Sequence, residues 1–131
     1  MADLEDIRRI ASQLPGAEQS TEGFGFSVLV KGKHKGFLWP WMERIHPKKP
    51  KVPNLDVIAF LVPDLETKDE LLASNTVAYL TEPHYNGFPA ILVHIDRVDL
   101  HELEFLIVQA WRCKAPTHGA RDSRTVDRNG D

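Results

Sequence analysis

Near the start of the chain, Leu4, Ile7, Ile10, Ala11 and Leu14 recur at helical spacing, with Asp3 and Asp6 placed to cap the helix and Pro15-Gly16 placed to end it. AEQSTEG then reads as a polar connector. Over residues 24–30 the period changes to two: Phe24, Phe26, Val28 and Val30 alternate with Gly25, Ser27 and Leu29, the mark of a half-buried strand. KGKHKG is a tight turn, and GFLWPWME returns as a second strand with Phe37, Trp39 and Trp41 on one face. Pro40 lacks an N–H, which predicts an edge or a bulge there. RIHPKKPKVPN, broken by three prolines, predicts a surface loop.

LDVIAFLV is apolar on both faces and predicts a central strand. In PDLETKDELLAS, Thr67 and Glu70 have capping-box spacing before a short helix with Leu71 and Leu72 inward. TVAYLT predicts a fourth strand. AILVHIDRV predicts a fifth, with Ile91, Val93 and Ile95 on one face and Leu92, His94 and Asp96 on the other. The clearest helix is DLHELEFLIVQAWRCKA. Asp99 caps it, Leu100, Leu103, Leu106, Ile107, Ala110 and Trp111 form its apolar stripe, and Pro116 stops it.

The predicted order is α-β-β-β-α-β-β-α. Its short strand connections favour hairpins over parallel crossovers, so the expected fold is an α+β two-layer sandwich: a largely antiparallel five-stranded sheet with three helices. At 131 residues one core is the expectation. Residues 1–117 are expected to form the domain and 118–131 a polar, disordered tail.

Charge adds a local feature. The formal net charge is −3, yet residues 31–51 hold Lys31, Lys33, Lys35, Arg44, Lys48, Lys49 and Lys51 against Glu43 alone. Such a segment attracts phosphate or another anion; the bland alternative is a pair of solvated lysine-rich turns. No apolar run is long enough to span a bilayer, the N-terminus does not read as a secretory signal, and the single cysteine, Cys113, forms no internal disulfide. The expected location is therefore cytoplasmic.

No motif of nucleotide-binding, nucleophile-elbow or zinc-binding spacing occurs, and the six histidines are scattered. The reading therefore contains no catalytic residue, metal or cofactor, and favours a non-enzymatic protein. Two constellations remain. Lys31, Lys33, Lys35, Lys48, Lys49 and Lys51, with Trp39 and Trp41 beside them, are ingredients of a nucleic-acid surface. The second is TEPHYNGFPA, residues 81–90. Asn86-Gly87 predicts a two-residue hairpin turn, Tyr85 is expected to pack near Trp111, and turn geometry leaves His84 unexplained.

LPGAEQS, VKGKHKGFLW and above all TEPHYNGFPAILVHIDRVDLHELEFLIVQAWRCKAP resemble the MmcQ/YjbR-like family over roughly residues 4–121. The resemblance implies a CyaY-like fold and, through the label its members commonly carry, DNA binding. It does not carry iron binding across from frataxin-type proteins, because the first helix has only Asp3, Glu5 and Asp6. PKKPKVPN and the tail beyond Ala120 depart from the family pattern. The primary expectation is thus a DNA-binding protein working through residues 31–51. The alternative is a small-molecule-binding or accessory protein with a cleft lined by Trp39, Trp41, His84 and Tyr85. Convergence of those four residues on one accessible concavity favours the ligand; a flat basic face with buried rings does not.

Overall fold

The computed structural model describes residues 2–21, 24–43 and 47–115. The expected tail 118–131 lies outside them. Helix α1 (Leu4–Ala11) opens with a reciprocal cap between Asp3 and Asp6, and the backbone N–H of Asp3 and the nearby Arg9 hold the Asp6 carboxyl below its usual value. Gly16, at φ 74°, turns the chain back so that β1 (Ala17–Gln19) runs against β2 (Phe26–Val30). This is a sixth strand inside the stretch predicted as a connector. It is a short polar edge, which needs no apolar alternation to form and so leaves no pattern to read.

The sheet continues with β3 (Lys33–Glu43), β4 (Val52–Leu61), β5 (Tyr79–Leu80) and β6 (Ala90–His94). Its order is β1-β2-β3-β4-β6-β5, antiparallel throughout. The fold is α+β with three helices, as expected, and β4 is central. It also starts earlier than predicted, because Val52–Asn54 pair with Glu43–Trp41. The fourth and fifth predicted strands are each shorter than read. Asn75 accepts from the N–H groups of Val77 and Ala78 and holds that approach as a turn, while Ile95–Arg97 leave the sheet in a 3-10 turn that takes Asp96 off the His94 face.

Two irregularities in β3 decide which way its aromatic rings point. Opposite Phe26 and Ser27 the strand carries one extra residue, so Phe37 and Leu38 both face the helices. Trp39 and Trp41 then fall on the opposite face, separating them from Phe37, with which they were expected to align. Past Pro40 the register with β4 jumps from Ile58 to Asn54, leaving Leu55–Val57 as a bulge. Asn54 shapes it by accepting from the Asp56 N–H at 2.9 Å and donating to Glu43 at 3.0 Å. Pro40 sits beyond Leu38, the last residue of β3 paired with β2, so its missing N–H costs no ladder bond on that side.

Helix α2 (Leu65–Ser74) is capped by Asp64, whose side chain accepts from the Thr67 N–H at 2.7 Å. That bond lowers the Asp64 pKa. The cap lies one turn before the Thr67/Glu70 box the spacing suggested, and Asp64 is the better acceptor directly after Pro63. Helix α3 (Leu100–Lys114) lies across β2, β3 and β4, with α1 packed on it. Leu103, Leu106, Ile107 and Ala110 meet Phe37, Phe60, Ile58, Ile91 and Val93 in a fully buried core. No helix among the described residues is long and apolar enough to cross a membrane.

Buried Tyr79 on β5 donates its hydroxyl hydrogen to the Glu102 carboxylate on α3 and ties the sheet's edge to the helix layer. Burial, and next the Glu102 bond, push its phenol well above the ordinary value of 10.0. The folded protein keeps that proton where the unfolded chain loses it. The contribution is therefore complete below pH 10 and is lost as pH rises beyond it. Urea unfolding should show wild-type stability falling faster than that of Tyr79→Phe from pH 10 upward. Parallel profiles would mean the hydroxyl is not held in this way.

Candidate functional site

The face of the sheet away from α1 and α3 carries a small apolar cluster of Val57, Ala59 and Leu92, against which Trp39, Trp41, Leu80 and Tyr85 pack. Above it stands the segment 81–89, which joins β5 to β6. Pro83 starts a 3-10 turn, Pro83–Tyr85, and the Glu82 carboxylate caps it by accepting from the His84 N–H at 2.6 Å. Asn86 (φ −65°, ψ 128°) and Gly87 (φ 79°) then form a type II turn closed by the Phe88 N–H on the Tyr85 carbonyl at 3.0 Å. The predicted two-residue hairpin is thus replaced by a longer loop. Asn-Gly suits both turn types, and the 3-10 turn set by Pro83 places Asn86 at a negative φ.

A buried charge fixes this loop. Lys68 on α2 is only 3% exposed, and its ammonium donates to the carbonyls of Tyr85 and, at 3.0 Å, of Phe88. These are the two ends of the type II turn. Burial lowers the Lys68 pKa, with neighbouring Asp69 opposing the shift. A lysine on a short surface helix carries no sequence signal of such a role, since the default for that residue is solvent.

Fixed in this way, Tyr85 turns towards β3: its hydroxyl accepts from the Trp39 indole N–H at 3.0 Å. It does not pair with Trp111, whose indole donates to the Pro15 carbonyl at 3.0 Å and staples α3 to the turn between α1 and β1. Phe88 meets Tyr85 edge-on, with ring centroids 6.2 Å apart. His84 projects outward, its side chain 74% exposed and Nδ1 3.4 Å from Glu82.

Trp39, Trp41, His84 and Tyr85 therefore border one concavity of about 310 Å³, completed by Met42, Lys51, Glu82 and Phe88. The four candidate ligand residues come together. The six candidate lysines do not, although all are exposed. Lys31, at φ 52°, Lys33 and Lys35 surround the β2–β3 turn. Lys48, Lys49 and Lys51 lie in the connection to β4, at the other end of β3 and roughly 30 Å away at the usual strand rise. Only Lys51 reaches the concavity. Among the described residues no cluster of three or more potential metal ligands occurs.

Sequence reading missed Lys68, Met42, Glu82 and Phe88. Glu82 and Phe88 lie inside the stretch already singled out, TEPHYNGFPA, and apolar Phe88 between a glycine and a proline was the available hint.

No family model matches the chain. Uncharacterised proteins of Mycobacterium tuberculosis strain H37Rv (Rv2570) and of Mycobacterium bovis (Mb2600) are each 30% identical to it over 117 residues, spanning 88% of this chain and 91% of theirs. Among solved structures, the Deinococcus radiodurans protein DR2400, a DUF419 domain, superposes with a TM-score of 0.61 at 17% identity. The match covers 85% of this chain and 77% of that one. The likeness at that identity is one of fold.

Lys68→Met keeps the apolar stem and removes the ammonium, leaving two loop carbonyls without their donor. Unfolding free energy should fall by about 1–3 kcal/mol. Backbone amides of residues 82–89 should exchange faster, while those in the middle of α3 change little. Unaltered exchange in the loop would show that it holds its shape without Lys68.

Proposed function

From the premise that this chain belongs to the family of the mycobacterial proteins Rv2570 and Mb2600, we propose that it is a small-molecule-binding protein whose site is the concavity between β3 and the loop 81–89. The carrying observation is the convergence of Trp39, Trp41, Lys51, His84 and Tyr85, from three separate stretches of chain, around one opening of about 310 Å³. That volume is near the lower end of the roughly 300–1,000 Å³ usual for ligand sites, which suits a compact molecule. Tryptophan, tyrosine and phenylalanine walls favour a flat ring, and Lys51 favours a negative group on it. Lys51 has no ion-pair partner among the described residues. The proposed ligand is therefore a planar aromatic or heteroaromatic acid.

We also propose that the chain is a member of the MmcQ/YjbR-like family, a reading supported by the sequence stretches that resemble it and by its DUF419 neighbour in fold. A cytoplasmic location remains our reading from the single cysteine. Nucleic-acid binding, the function that resemblance suggests, has weaker support in the geometry. Its lysines are divided between the two ends of β3, and Trp39 is engaged with Tyr85.

The test is intrinsic tryptophan fluorescence titrated with indole-carboxylic and naphthoic acids. A saturable change is expected, and Trp41→Ala should weaken binding roughly tenfold. Lys51→Gln should weaken the acids but not the matching neutral amides. A duplex oligonucleotide should give no salt-sensitive complex in the same buffer. A flat response to the whole panel from folded protein would remove the reading, and a complex with DNA whose affinity falls steeply with salt would replace it.

A further inference from the structure

We propose a second binding site, sharing only Phe88 with the Trp39 concavity, in the cleft between the C-terminal half of α3 and the segment 61–63 with Phe88 and Pro89. Its ligand would be a small amphipathic acid in which an apolar chain is joined through an amide to a carboxylate, that is, an N-acyl amino acid. The cleft encloses about 660 Å³, twice the volume of the first site and well within the range that holds an organic ligand. Leu61, Val62 and Pro89 line it, and two phenylalanines border it with much of their surface in water, Phe88 at 43% and Phe105 at 55% exposure. Together the two rings give the concavity an exposed apolar border of the kind that marks a ligand-binding groove.

The polar groups define the rest of the ligand. Phe105, Gln109 and Cys113 follow one another at four-residue steps and make one ridge of α3. Among the described residues, the Gln109 Oε1 is buried and has no hydrogen-bond partner. Gln109 lines the cleft, so a rotation of its side-chain amide would bring this orphaned oxygen to a polar group from outside the protein. A ligand amide offers both a donor and an acceptor, and so meets Gln109 whichever way its own amide is turned. Arg112 and Lys114 also line the cleft, both exposed, with no carboxylate among the lining residues. Their complement is an anion beside the amide.

Cys113 lines the cleft and is the chain's single cysteine, so thiol alkylation reports on this place alone. The full chain would be titrated calorimetrically with N-decanoylglycine, decanoate and decanol, and the rate of Cys113 alkylation by iodoacetamide followed with each. N-Decanoylglycine should bind roughly tenfold more tightly than decanoate and slow alkylation in proportion to occupancy. Decanol should bind more weakly than either. Gln109→Leu should erase the preference for the amide, and the double change Arg112→Gln, Lys114→Gln the preference for acid over alcohol. Trp41→Ala, in the first site, should leave all three unchanged. The proposal is overturned if no compound slows alkylation, if the three bind equally, or if Trp41→Ala abolishes binding. The wild-type comparison of the three compounds stands even if a cleft variant fails to fold.

Discussion

One ammonium group holds the loop of the candidate site in place. Lys68 reaches from α2 into a nearly closed space and binds the carbonyls at both ends of the type II turn. The charge is buried at a cost, and its attraction for two fixed carbonyl dipoles offsets that cost. The turn is thereby ordered, and Tyr85 is aimed at the Trp39 indole. Without that anchor, segment 81–89 would be an ordinary surface loop, and the concavity would have a mobile wall. The two prolines and the Glu82 cap limit the loop's conformations; Lys68 selects one of them.

The other wall depends on the irregularity of β3. A regular strand would set Phe37, Trp39 and Trp41 on one face, sending all three rings to the helices or all three to water. The extra residue beside Phe37 lets the same strand serve both sides: Phe37 and Leu38 complete the core under α3, while Trp39 and Trp41 line the open face. Past the bulge on β4, Trp41 pairs with Asn54, and Lys51 lies at the rim of the same concavity. Strand defects of this kind often accompany functional sites because they redirect side chains without interrupting the sheet.

The same topology weakens the idea of a single basic face. Lysines close in sequence were separated by the length of an extended strand, so the local positive segment becomes two smaller exposed groups. Electrostatic attraction for anions survives at each end, but the lysines described within residues 31–51 do not line up as one continuous phosphate track. The family relationship to the mycobacterial proteins, at 30% identity over most of both chains, makes this geometry a question for those proteins as well.

The sequence by itself determined the helices with their stripes and the strands that alternate or are wholly apolar, because periodicity and capping are local consequences of side-chain direction. It therefore yielded the α+β class, the central place of β4 and the four residues that border the concavity. It was blind to β1, a polar edge whose pairing leaves no pattern, and it misjudged the Asn86-Gly87 turn, because local preference admits more than one turn type there. Only the tertiary structure decided that Lys68 is inside and that Tyr85 meets Trp39 and not Trp111. Each of these outcomes depends on contacts between residues far apart in the chain. The energy of such contacts appears when the sheet closes and is not written in any short window of sequence.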